Sequence, residues 1–193
     1  MKIGSMAAAV ATVALCAGCG TAMQQDVHSA GTQMAGMQMA GRRLQGGPAA
    51  GRPSAAAAMT CSAETGRAVE RTFALDAVPR SRPKWMPPVY ACTWQLPHSR
   101  LDLAVDDVTH PAQGRKRFAQ MRATTPGAQK LGGLASFGFP AFQSASGMVV
   151  FLKDGKVLSV DARQVADRDL PADFSREDVA YGVASAVIAC WSE

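Results

Sequence analysis

Soft metal-ligand side chains lie close together near the N-terminus. Met34, Met37 and Met39 follow an M-x-x-M-x-M spacing, and His28 lies upstream of them. Thioether sulfur is a soft ligand that selects Cu(I), so Cu(I) capture is one hypothesis for this segment. The other interpretation is a Gly/Ala/Gln/Met arm of low complexity with no ligand. That second interpretation is favoured, because one short motif does not make a site.

Catalytic constellations are not recognisable in the sequence. The histidines are His28, His98 and His110, which the local patterns place in an arm, in a turn and at a helix start. The motifs HExxH, GxSxG, GxGxxG and the Walker loop are missing. We therefore predict a protein that is not an enzyme and that has no cofactor unless the arm takes up Cu(I). An enzyme whose site is assembled from distant residues is a third hypothesis.

Carboxylates occur in two groups. Asp102 and Asp106 share the polar face of a predicted strand, and Asp107 follows directly. Two carboxylates at this spacing could bind a cation weakly, but ordinary solubilising charge is the favoured interpretation. A second group alternates with a basic residue in a predicted loop and is expected at the surface: Asp167, Asp169 and Asp173.

Length and charge exclude several classes of protein. The 193 residues are 48% hydrophobic and carry a net charge of +5, which fits one domain of ordinary size. No internal apolar run reaches the 18 residues that a membrane span needs. The excess of positive over negative charge lies largely in the N-terminal arm, and the run at 115–117 is typical of a solvated helix face. We therefore predict no nucleic-acid partner.

The N-terminus has the layout of an export signal. Lys2 precedes an apolar stretch at residues 6–15, and small residues follow. The segment Ala17-Gly18-Cys19 resembles the lipobox of bacterial lipoproteins, although Cys16 replaces the Leu that the family prefers there. This resemblance implies a signal peptide at residues 1–18, a diacylglycerol on the Cys19 thiol, and anchoring to the extracytoplasmic face of the cell membrane. The alternative is cleavage after residues 20–22, which would give a secreted protein.

Residues 19–58 are predicted to form a flexible tether. The stretch is rich in Gly, Ala and Met and has almost no branched apolar residue, so it cannot bury enough surface to offset its ordering entropy. Its methionine spacing is similar to the methionine motifs of copper-transport proteins. The tether is long enough to hold a domain away from a membrane.

Residues 59–193 are predicted to form a globular α+β domain. Periodicity predicts a helix at 61–75, a proline-rich loop at 79–88 and a helix that starts at Pro111. Asp154-Gly155 predicts a type I′ hairpin, and Ser175 with Asp178 resembles a capping box before a last helix. Together the patterns predict an antiparallel sheet of about five strands with three helices in the order α-β-β-α-β-β-β-α. The predicted strands are 89–96, 101–106, 139–144, 148–153 and 157–160.

Three cysteines would remain after lipidation, and two of them are expected to pair outside the cytosol. Spacing alone does not choose among the pairings of Cys61, Cys92 and Cys190. The order of a helix-start Cys, a Tyr-x-Cys-Thr-Trp strand, a Lys-Asp-Gly hairpin and a closing Cys-Trp is similar to small exported lipoproteins of actinobacteria. That resemblance implies the pair Cys61–Cys92 and no reaction. The rival is Cys92–Cys190, and the third cysteine is expected to be a buried thiol.

These observations favour one function. The chain is predicted to be a membrane-tethered lipoprotein of the cell envelope whose domain is non-catalytic and binds an envelope protein or a small ligand. The alternative is envelope Cu(I) capture through the Met-rich arm.

Overall fold

An antiparallel sheet of seven strands organises the part of the chain that the structure describes. The computed structural model describes residues 51–191. The strands lie side by side in the order β1-β2-β3-β7-β6-β5-β4. Two meanders, β1–β3 and β4–β7, therefore meet where β3 pairs with β7. The strands are β1 (Ser81–Met86), β2 (Val89–Gln95), β3 (Arg100–Asp106), β4 (Gln129–Leu131), β5 (Ala141–Ser144), β6 (Met148–Lys153) and β7 (Lys156–Asp161).

Four α-helices accompany the sheet in residues 51–191: α1 (Ala55–Ala58), α2 (Ala63–Thr72), α3 (Pro111–Thr124) and α4 (Arg176–Cys190). Single 3-10 turns occur at Met59–Cys61, Gly133–Ser136 and Asp167–Asp169. None of the helices within this range has the length and apolar character needed to cross a bilayer.

Each face of the sheet has its own hydrophobic core. Successive side chains of a strand point to opposite faces. In β6, Val149 and Phe151 therefore join the larger core, to which α2 and α4 contribute. Val150 joins the smaller core, together with Phe118 and Met121 of α3. Burial on both faces explains why β6 is a nearly continuous apolar run.

The predicted α+β class and antiparallel sheet are confirmed. The predicted Asp154-Gly155 hairpin turn and the predicted start of the last helix are confirmed as well. Asp154 and Gly155 have φ angles of 51° and 77°, as a type I′ turn requires. At the start of α4, the Ser175 hydroxyl accepts from the Asp178 backbone N–H, and the Asp178 carboxylate accepts from the Ser175 N–H. Aspartate thus completes the capping box in place of the usual glutamate.

The described residues contain more elements than the sequence predicted: seven strands instead of about five, and four α-helices instead of three. β1 lies where the prolines at 79–88 predicted a loop, and Pro83 is tolerated because β1 is an edge strand. β4 is only three residues long, too short to show a period. α1 consists of four alanines that composition alone assigned to the tether.

A buried carboxylate attaches the residues before α2 to the sheet. Asp107 has a fully buried side chain that accepts hydrogen bonds from the Ser54 N–H at 2.6 Å and the Ser54 hydroxyl at 2.8 Å. Ser54 also caps α1, and Ala56 and Ala57 behind it are buried. The folded domain therefore includes residues 54–58, which the sequence analysis placed in the tether at 19–58.

Close packing of α3 over the β6–β7 turn gives a first prediction. A Cβ atom at Gly114 would collide with the Gly155 carbonyl oxygen. Gly→Ala inside a helix ordinarily stabilises by up to about 1 kcal/mol, whereas overpacking costs about 1–3 kcal/mol. We expect Gly114→Ala to lower the free energy of unfolding, measured by urea denaturation. Gln113→Ala, at an exposed neighbouring position, is the control. Equal or greater stability of Gly114→Ala would show that α3 does not pack this closely.

Candidate functional site

A polar groove lies beside the turn that joins β2 to β3. Its volume is about 850 Å³, and it is open to solvent. We call it the hairpin groove and define it by side chains from three strands, the turn and the segment after β7: Arg82, Thr93, Gln95, His98, Arg100, Asp102 and Gln164.

Strand register explains how three strands supply one groove. Arg82 of β1 pairs with Thr93 of β2, and Thr93 pairs with Asp102 of β3. Directly paired residues of antiparallel strands point to the same face, so these three side chains form a row across the sheet. This is the face on which α3 packs against β6 and β7, at the other end of the sheet. The groove therefore occupies the β1–β3 end of that face.

A buried carboxylate fixes the turn that forms one wall of the groove. The Asp169 side chain is only 1% exposed. It accepts hydrogen bonds from the His98 backbone N–H at 3.1 Å, from His98 Nδ1 at 2.7 Å and from the Ser99 hydroxyl. The 3-10 turn at Asp167–Asp169 thus holds the β2–β3 turn. Burial by itself would raise the pKa of Asp169, but the hydrogen bonds from Ser99 and His98 outweigh it and lower the pKa.

The same contact sets the orientation of the His98 ring. An ionised carboxylate can only accept, so Nδ1 must carry a proton and donate it to Asp169. Nε2 lies on the other side of the ring, and the His98 side chain is 46% exposed. A histidine oriented in this way by a carboxylate can act as a base or as a ligand contact. The adjacent hydroxyl of Ser99 donates to Asp169 and is therefore not held by His98 as a nucleophile.

The carboxylates in and next to the groove already accept hydrogen bonds from neighbouring side chains. Asp102 accepts from the Thr93 hydroxyl at 2.6 Å and from Arg100 Nε at 3.0 Å. Its neighbour in register, Asp161, accepts from Arg163 Nε at 2.9 Å and from Arg163 Nη2 at 2.6 Å. Burial would raise the pKa of Asp161, but the Arg163 hydrogen bonds lower it.

Asp102 and Asp106 point to the same face of β3, as the sequence predicted, but they have different partners, and Asp107 has another. Asp106 pairs with Arg117 Nε at 3.2 Å, whereas Asp107 holds Ser54. These two aspartates and Asp169 are buried, so each has a structural role in place of the solubilising one expected. Within residues 51–191, no group of three or more His, Cys, Asp or Glu side chains is arranged to hold a metal ion.

The cysteines of the domain have different environments. Cys61 and Cys92 form a disulfide across 31 residues of sequence, the pair that the lipoprotein resemblance implies. Cys92 is buried in the larger core. Cys190 is free and exposed, which corrects the expectation of a buried third thiol. It is the last residue of α4.

The remaining candidate residues lie at the surface or outside the described range. His110 is the exposed N-cap residue of α3, and its ring makes no capping hydrogen bond. The lipidation candidate and the Cu(I) candidates all lie outside residues 51–191: Cys19, His28, Met34, Met37 and Met39.

Sequence reasoning missed the importance of Asp169. Its partners lie 70 and 71 residues earlier in the chain, so no local spacing could connect them. Asp169 also stands among charged and polar residues that are typical of a loop. His98 was recognised only as a turn residue.

Comparison with known proteins does not assign the chain to a family. No protein-family model, no curated protein and no solved structure matches the chain.

The Asp169 contacts predict an acid-dependent stability. The pKa of Asp169 is lower in the folded chain than in the unfolded chain, where it is about 3.9. Its contribution to stability is therefore complete above about pH 5 and is lost as the pH falls through the folded-state pKa. We expect Asp169→Asn to lower the free energy of unfolding by about 2 kcal/mol or more at pH 7, and by less at about pH 3. Urea denaturation at both pH values measures this difference.

The matched control is Asp173→Asn, an exposed aspartate a few residues later with a positive φ that asparagine also adopts. We expect this variant to unfold like the unmodified chain. A loss of stability for Asp169→Asn that is the same at both pH values would contradict the role given to its carboxylate.

Proposed function

We propose that this protein is a lipid-anchored lipoprotein of the cell envelope, held at the extracytoplasmic face of the membrane through Cys19. Its folded domain is a non-catalytic binding domain, and the hairpin groove is where a small ligand or a segment of an envelope protein is held. The observation that carries the proposal is the Cys61–Cys92 disulfide, taken together with the signal-like N-terminus.

The disulfide supports an extracytoplasmic location for the domain. Disulfides persist in oxidising compartments and are rare in the cytosol. Cys61 ends the 3-10 turn before α2, and Cys92 lies in the middle of β2, so the bond ties the N-terminal helices to the sheet. A closed loop of this length contributes about 3–4 kcal/mol in the chain-entropy account. That contribution matters in a domain with few aromatic residues.

The hairpin groove supports binding as the role of the domain. Several of its polar side chains are fixed by neighbours: Asp102 is held by Thr93 and Arg100, and His98 is held by Asp169. Fixed donors and acceptors around an open concave surface lower the entropy cost of holding a ligand.

Acylation at Cys19 is tested by growth of expressing cells with radiolabelled palmitate. We expect the protein to take up the label and to be found in the membrane fraction. Cys19→Ser should abolish both, because only a thiol at this position accepts the diacylglycerol. Cys16→Ser is the matched control and should keep the label, since that residue leaves with the signal peptide. Palmitate incorporation that survives Cys19→Ser would contradict the proposal.

The disulfide is tested by comparing two cysteine variants. Cys61→Ser should lower the free energy of unfolding by about 3 kcal/mol or more, because it opens the loop and places a hydroxyl next to the buried Cys92. Cys190→Ser should change stability by less than about 0.5 kcal/mol, since that thiol is exposed and free. Equal stability of Cys61→Ser and the unmodified chain under oxidising conditions would mean that the bond does not form.

A further inference from the structure

In and beside the hairpin groove, the carboxylates already accept hydrogen bonds, whereas several guanidinium N–H groups have no acceptor in the described residues. The two nearest carboxylates of the sheet, Asp102 and Asp161, are engaged by Arg100 and Arg163. The Asp169 carboxylate beneath the turn is engaged by His98 and Ser99. Each of these three carboxylates therefore already has hydrogen-bond donors, and the charge of Arg100 also acts on Asp161.

Arg82 is the cation without such a partner. Its side chain makes no hydrogen bond or ion pair within the part of the chain that the structure describes, and the residue is exposed on β1. Arg100 uses its Nε for Asp102, and its side chain is 53% exposed. Its two terminal nitrogens have no hydrogen bond to another residue of the 51–191 range. Two guanidinium groups, one from β1 and one from β3, thus line the same groove. Each has N–H donors that no other residue in the 51–191 range accepts.

From this arrangement we propose that the hairpin groove binds an anionic ligand through a phosphate or carboxylate group, held by Arg82 and by the terminal nitrogens of Arg100. This assignment rests on the groove being the binding site of the proposed function. Guanidinium is the donor best matched to these planar or tetrahedral anions, because its fixed fork presents parallel N–H groups. The side-chain amides of Gln95 and Gln164 line the same groove and can hydrogen-bond the hydroxyl or ester oxygens next to the anionic group.

The engaged carboxylates assist this selectivity. Arg100 is oriented by Asp102, and Asp102 is in turn held by Thr93, so the guanidinium is positioned before the ligand arrives. A cationic ligand would find Asp102 and Asp161 already paired with guanidinium groups. A purely apolar ligand would leave the arginine and glutamine groups without partners, which is unfavourable.

The test is a titration of the full chain, labelled with ¹⁵N and kept in nonionic detergent, with inorganic phosphate. Ionic strength is held constant with sodium chloride, which on its own serves as the screening control. We expect saturable chemical-shift changes at the backbone amides of Gln95, His98 and Arg100, with a dissociation constant in the millimolar range. Parallel titrations with acetate and with glycerophosphoglycerol distinguish a carboxylate, a free phosphate and a lipid headgroup as the source of the anion.

Variants of single arginines assign the site. Arg82→Gln should weaken phosphate binding about tenfold, and Arg82→Lys should weaken it less, since lysine keeps the charge and loses the fork. Arg115→Gln, an exposed arginine of α3, is the matched control and should bind like the unmodified chain. Unchanged affinity in Arg82→Gln would overturn the assignment.

A neutral probe separates this inference from the proposed function. If erythritol shifts the groove amides as strongly as phosphate does, the groove binds ligands without regard to charge. The anion assignment is then wrong, while the binding role of the domain stands. If none of the probes shifts these amides, both the anion assignment and the use of the groove as the binding site are wrong.

Discussion

A carboxylate that is taken out of water must receive hydrogen bonds, and this requirement on Asp169 shapes the site described above. The three donors that satisfy it come from His98 and Ser99, two adjacent residues of the β2–β3 turn. The turn is consequently held against the segment that follows β7, and the His98 ring is held in one orientation. Without this contact the turn that forms one wall of the groove would lose its attachment, and the His98 ring would have no fixed orientation.

A second buried carboxylate performs a similar task at the other end of β3. Asp107 holds Ser54, and Ser54 starts the first helix of the domain. Both carboxylates connect segments that are distant in sequence, and both use a neutral serine hydroxyl together with a backbone N–H. The meander β1–β3 is therefore fastened at its two ends by polar contacts. Its middle is fastened by the hydrophobic core and by the disulfide to Cys92.

The features that local sequence determines were predictable. The Asp154-Gly155 turn fixes the β6–β7 hairpin, and Ser175 with Asp178 fixes the start of α4, because each signal acts within four residues. Strand β1 was missed because proline argues against a strand unless the strand lies at an edge, and strand order is a tertiary property. Helix α1 was missed because a run of alanines has no hydrophobic period. The groove could not be predicted, since its residues meet only through the pairing of β1, β2 and β3 and through the contact of Asp169 with a turn some 70 residues earlier.

The proposed location and the proposed binding role depend on different parts of the chain. The location is inferred from the export layout of the first residues and from the Cys61–Cys92 bond, whereas the binding role is inferred from the hairpin groove. An extracytoplasmic location is the more basic proposal, because the compartment determines which ligands the groove can meet and whether the disulfide persists.

The most direct test of that claim is the intact mass of the protein extracted with detergent from the membranes of cells that express it. The account predicts the mass of the chain from Cys19 to Glu193 with a diacylglyceryl group and a further acyl chain, less the hydrogens lost on forming one disulfide. A soluble chain that still begins at Met1 and keeps all five cysteines reduced would contradict the account.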